Sequence, residues 1–168
     1  MTNTRLSGDT TNGFSVLRPD GSQDVYGLVV TNGGGAFLEA FLTESWNAHS
    51  QKTSFYYEPY SPANPVIRLS YVVDGDGGTN MISYVTSNAY STNLISQIVD
   101  PFGHTSQFRY DEGGFLTNVT DVAGISSSFV YNARGWPSTL ITPYGTTTFA
   151  FTDALASKSP NGRSVLVT

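Results

Sequence analysis

In the second half of the chain, apolar and polar residues alternate in short runs, and the runs recur at a fixed interval. Phe108 and Tyr110 fall on one side of such a run, Gln107 and Arg109 on the other. Phe129/Tyr131 and Phe149/Phe151 repeat the arrangement. In 115–121 one side carries Phe115, Thr117, Val119 and Asp121, and the other carries Leu116, Asn118 and Thr120. In 136–142 Trp136, Ser138, Leu140 and Thr142 fall together. Period-two alternation of aromatic and β-branched residues predicts strands with one face towards a core. Phe108, Tyr110, Val119, Phe129, Tyr131, Leu140, Phe149 and Phe151 are expected to be buried, and Trp136 joins them in the repeat core.

The runs are punctuated by turn chemistry. Asp100-Pro101-Phe102-Gly103 places Asp, Pro and Gly at turn positions i, i+1 and i+3. Asp111 to Gly114, Asp121 to Gly124 and Asn132 to Gly135 begin on a side-chain oxygen that bonds the backbone ahead of it, and end on a residue free to take positive φ. Gly145 closes the last copy. Gly103, Gly124 and Gly145 are spaced by 21 and 21, with a one-residue deletion before Phe149. A repeat of this length marks a modular array, in which each unit buries its apolar face only against its neighbours. The fold class is therefore all-β, built of consecutive antiparallel hairpins in a curved or spiralling repeat sheet.

Upstream the pattern is weaker. Residues 66–73, a turn at 74–78 and residues 81–84 read as another hairpin. Residues 17–21 resemble a worn copy of the Pro-x-Gly turn. Residues 36–44 and 53–58 look extended, although 37–48 also fits a short helix. Three regions follow: a degenerate N-terminal β region over 1–65, hairpin repeats over 66–153 that are clear from 93, and a tail over 154–168 with a short strand at 164–167.

Composition narrows the function. Charged residues are 12% of the chain, about half the usual share, so Ser, Thr, Asn and Gly must make much of the surface. That suits a secreted or cell-surface scaffold. The net charge is -5, without a cluster of Lys or Arg, which argues against a nucleic-acid partner. There is no cysteine, which excludes disulfides and thiolate chemistry. The N-terminus shows no apolar signal region, and no run approaches a membrane-spanning helix.

Candidate chemistry is sparse. Asp74-Gly-Asp76-Gly-Gly78 begins like a calcium loop, but Gly78 and Val85 stand where two ligands are needed, so a turn is expected. His49 and His104 have no partner at metal-ligand spacing. No nucleophile elbow or phosphate loop is present, and the acids at 111 and 112 lie in a turn. No catalytic, metal or cofactor residue is assigned. Tyr56, Tyr57 and Tyr60, beside a Pro-rich loop, are candidates for stacking on sugars or peptides. Asn118-Val119-Thr120 fits a glycosylation sequon.

The run Gly103-HTSQ-Phe108-Arg-Tyr110-Asp111-EG-Gly114-Phe-Leu116, followed by Val119-Thr-Asp121-x-x-Gly124, resembles the YD-repeat or Rhs-repeat family. The Tyr-Asp pair is intact at Tyr110-Asp111 and drifts to Tyr131-Asn132. The resemblance implies a β-ribbon of hairpins forming part of a hollow shell that encloses or presents a toxin or adhesion module. It also implies further repeats of the same or a longer chain as partners, with an enclosed polypeptide or a surface glycan. The aspartyl autoprotease signature that ends such shells is lacking, because Asp100-Pro101-Phe102-Gly103 lies mid-array and is followed by His104. A non-enzymatic structural segment is the first reading. A module binding glycan or a protein strand is the second, and a hydrolase with a dispersed site the third. An array without an evident polar cap is expected to continue, or to pair an edge strand with another chain.

Overall fold

The structure is a computed structural model that describes residues 4–32, 37–58, 66–86, 93–153 and 163–168. The described residues contain strands and turns and no helix. They fall into two compact units, residues 1–82 with 100–102, and residues 83–99 with 103–168.

The first unit holds β1 (Arg5–Asp9), β2 (Gly13–Leu17), β3 (Gln23–Tyr26), β4 (Leu28–Asn32), β5 (Phe37–Phe41), β6 (Glu44–Trp46), β7 (Lys52–Tyr57), β8 (Leu69–Val73) and most of β9 (Thr79–Tyr84). Its strand order is β1-β2-β3-β6-β7-β8-β9, while β4 and β5 pair only with each other. The stretch 37–48, which also fitted a helix, is β5 and β6. Cross-strand pairing of Leu28 with Phe41 and of Glu44 with Ser54 overrides the local pattern.

The second unit holds β10 (Ile95–Val99), β11 (Thr105–Tyr110), β12 (Leu116–Thr120), β13 (Ser126–Tyr131), β14 (Pro137–Thr142), β15 (Gly145–Asp153) and β16 (Arg163–Val167), in chain order and antiparallel throughout. Its register sorts the side chains. Phe108 lies opposite Val119, Phe129 opposite Leu140, and Phe149 opposite Val167. The other face pairs Gln107 with Thr120, Thr120 with Ser126, and Asn118 with both Arg109 and Ser128. Gln107 and Arg109 are exposed.

Two expectations need correction. All nine repeat-core residues are half-buried, and no hydrophobic residue is fully buried among the described residues. The cause is the single layer. Strands contact their hydrogen-bonded neighbours, and among the described residues no strand packs across the apolar face within either unit, so each ring is covered at its sides and open above. Among the described residues those that are buried are Gly13 and the polar Asp24 and Ser54. The second correction concerns alternation. Arg109 pairs with Asn118 but Tyr110 pairs with Leu116, so Thr117 is an extra residue and β12 bulges there. Ser138 is the extra residue where Val130 pairs with Thr139 and Tyr131 with Pro137. Each bulge breaks the strict period of two. Leu116 therefore shares a cross-strand row with Tyr110, instead of standing on the face opposite Val119.

Candidate functional site: the repeat turn and its tyrosine clasp

The best-defined constellation is built from the repeat itself. At 111–115 the Asp111 N–H donates to the Phe115 carbonyl at 3.0 Å, and the Gly114 N–H donates to the Asp111 carbonyl at 3.0 Å. Asp111 Oδ1 accepts the Phe115 N–H at 2.9 Å. Gly114 sits at φ 80°, a conformation in which a Cβ would be strained. Asp121 and Asn132 reproduce the pattern. Asp121 Oδ1 accepts the N–H groups of Ala123 and Ile125 at 2.9 and 2.8 Å, and Asn132 Oδ1 those of Arg134 and Trp136 at 2.9 and 3.2 Å. Gly103, Gly124 and Gly135 lie at φ 86°, 79° and 75°. At 100–103 the Asp100 Oδ1 accepts the Phe102 N–H at 2.9 Å. Gly145 is different: it pairs directly with Thr142 across a shorter turn, with φ 153°. The one-residue deletion in the last copy therefore falls within the turn.

Each bulge carries its own repair. The Thr117 hydroxyl donates to the Arg109 carbonyl at 3.2 Å, and the Ser138 hydroxyl to the Val130 carbonyl at 3.1 Å. Those are the carbonyls beside the register break, where the strand ladder is interrupted. The tyrosine after each break reaches back to the preceding hairpin. Tyr110 donates its hydroxyl to the Ile95 carbonyl at 2.9 Å, and Tyr131 donates to the Leu116 carbonyl at 2.8 Å, each across 15 residues. Burial pushes both hydroxyls above the ordinary tyrosine range, and the carboxylate of Asp111 adds to the shift at Tyr131. The Tyr131 ring also tilts against Phe115, with centroids 5.0 Å apart. In the last copy Phe151 has no hydroxyl to donate and meets Trp136 edge-on at 5.0 Å.

These contacts explain why a repeat of this kind needs Tyr followed by Asp or Asn. Tyr ties the new hairpin to the previous one, and the next residue closes the turn. Residues 91–126 and 111–147 match the family model described as RHS Repeat. The stretch from 91 to 147 belongs to the RHS repeat family. No curated protein matches the chain.

The same devices occur outside the matched RHS stretch. Tyr57 follows a register break between Tyr56 and Tyr57 and donates to the Leu42 carbonyl at 2.7 Å, again across 15 residues. Asp74 with Gly77, and Asn47 with Ser50, form the same five-residue turn. Ser50 takes φ 62° where the other copies have Gly. A sequence signal for this existed in Phe55-x-Tyr57-Glu58, which parallels Phe108-x-Tyr110-Asp111.

Other candidate positions are disposed as follows. The Asp74 carboxylate is turned onto the backbone N–H groups of Asp76 and Gly78, at 3.0 and 2.7 Å. His49 and His104 are exposed. Asn118 stands mid-strand, its amide nitrogen donating to Ser126 and Ser128 at 2.8 and 3.1 Å, which ties up the sequon nitrogen. Tyr56 stacks on Tyr71, with centroids 4.3 Å apart and planes 13° apart, opposite the exposed Met81. Tyr60 lies outside the described residues. An open groove of about 400 Å³ in the first unit is lined by Arg18, Trp46, Asn47, Gln51, Asp74 and Asp76. Beside it, hydrogen bonds from Arg18 and Ser45 hold the Asp24 carboxyl below its usual range. The Trp46 and Lys52 bonds do the same for Glu44. Carboxylates held ionised in this way are poor proton donors near neutral pH.

Proposed function

We propose that the chain is a non-enzymatic structural segment of an Rhs/YD-repeat protein, forming part of a β-shell that encloses or presents a toxin or adhesion module. One observation carries the reading. A repeat sheet stapled hairpin to hairpin by tyrosine leaves its aromatic residues half-buried, with no hydrophobic residue fully buried among the described residues. Residues so placed serve as an inner wall. Secretion or cell-surface display accords with the sparsely charged surface, and further repeats are the natural neighbours of its strands. The test is limited proteolysis of the native polypeptide isolated from its source. A protected segment, released to protease only when urea opens the repeats, is expected. Equal cleavage of all segments under native conditions would refute enclosure.

A second reading is a module that binds glycan. The Tyr56–Tyr71 stack favours it, with Tyr56 left 43% exposed. A glycan array probed with wild type and Tyr56→Ala separates the two. Binding lost in the variant supports the module, and no binding by wild type removes it.

A further inference from the structure

The connection from β3 to β6 is an insertion within the repeat pattern. β11 passes to β12 through residues 111–115, and β13 to β14 through 132–136, whereas β3 reaches β6 through 27–43. The base is closed as tightly as a turn. The Thr43 N–H donates to the Val25 carbonyl at 2.7 Å, and the Gly27 N–H donates to the Thr43 hydroxyl at 3.0 Å. Between these points β4 and β5 leave as a hairpin of their own. Tyr57 roots it: its hydroxyl holds the Leu42 carbonyl, and its ring meets Phe41 edge-on at 5.6 Å. The clasp that elsewhere joins successive hairpins here holds the base of the inserted arm. Insertions into repeat turns commonly form the binding face of such proteins.

We infer that this arm is a strand-addition site for a second copy of the chain, pairing β4 with β4 antiparallel about Val30. Four observations lead there. A two-stranded hairpin is marginal alone, and three or more strands are needed for independent stability. No other strand pairs with β4 or β5 among the described residues. The arm strands contain no Pro, Lys or Arg, the usual guards of a free edge. β4, Leu-Val-Val-Thr-Asn, carries no charge, so self-pairing sets Val30 against Val30 and Val29 against Thr31 without repulsion. β5 is the wrong edge, because self-pairing about its centre would set the Glu39 carboxylates against each other. A two-fold pairing through β4 alone closes a four-stranded sheet and stops there. A five-residue edge buries much less than the ~1,200 Å² of a stable interface, so the dimer is weak and concentration-dependent.

The absence of cysteine supplies the test. At the two-fold axis the Val30 Cα atoms lie about 4.5–5.5 Å apart, within disulfide range. Under mild oxidation Val30→Cys should form a covalent dimer, while Val29→Cys, which faces Thr31 of the other copy, should not. Sedimentation velocity of wild type should show reversible dimer at high concentration, lost in Val30→Lys and kept in Leu166→Lys. Wild type that stays monomeric with no Val30→Cys cross-link overturns the inference. So does association that survives Val30→Lys, or that is lost in Leu166→Lys instead. If Val30→Lys misfolds by circular dichroism, the contrast between the two cysteine variants still decides.

Discussion

Gly135→Ala, with Gly124→Ala as its reference, measures how one repeat leans on the next. The two glycines have nearly the same backbone, φ 75° and 79°. Forcing alanine into the left-handed region costs about 1 kcal/mol at either site. Their surroundings differ. A Cβ on Gly124 meets nothing within 4 Å, whereas one on Gly135 would stand 2.7 Å from Phe115 Cζ and 2.9 Å from Cε1. Carbon atoms prefer about 3.5–4.0 Å, so the ring must withdraw by about 1 Å. Overpacking costs about 1–3 kcal/mol, and the low end applies because Phe115 is 41% exposed and can move. Moving it loosens the contact with Tyr131, a pair worth about 0.5–1.5 kcal/mol. Urea unfolding should therefore place Gly135→Ala about 2 kcal/mol below wild type, and Gly124→Ala about 1 kcal/mol below. In a Phe115→Ala background the excess at Gly135 should vanish, giving a coupling energy near 1 kcal/mol. Equal losses at the two glycines, or an excess that persists without Phe115, would refute the reasoning.

Ser50→Gly should raise the unfolding free energy by about 0.5 kcal/mol, since relief of the left-handed serine slightly exceeds the added entropy of the unfolded chain; a lower urea midpoint counts against strain at this turn. Tyr131→Phe keeps the ring and loses the hydrogen bond to Leu116, and should cost about 1 kcal/mol; an unchanged midpoint would make the clasp incidental. Burial raises the hydroxyls of Tyr57, Tyr110 and Tyr131 above the ordinary value of 10.0. The unfolded chain then loses these protons first. Their contribution is whole below about pH 10 and is lost as pH rises through the folded values. Unfolding midpoints should fall above that pH, less steeply in the triple Tyr→Phe variant, and parallel slopes would exclude the linkage. Thr117→Val should cost about 0.5–1 kcal/mol by leaving the Arg109 carbonyl beside the bulge without its hydroxyl donor; circular dichroism melts of the variant against wild type check it.

The hairpin array over 93–153 was legible from residues alone because its causes are local. Asp, Asn and Gly at fixed offsets make the turns within five residues, and alternation needs only the strand's own period. The polar face of Gln107, Arg109 and Asn118 followed from the same period. What tertiary structure decided depends on partners distant in sequence. A bulge is a relation between two strands, so neither Thr117 nor Ser138 announces that it shifts the register. The clasp joins residues 15 apart, and its acceptors are backbone carbonyls, which carry no sequence signature. That made Tyr57 look like a strand residue beside a loop, although it holds the root of an arm. Burial was overestimated for Phe108, Tyr131 and their equivalents because an apolar period says which way a side chain points. It does not say whether a second layer stands there to meet it. Only the pairing of the strands decided that these aromatic residues stay half-buried, with no hydrophobic residue fully buried among the described residues.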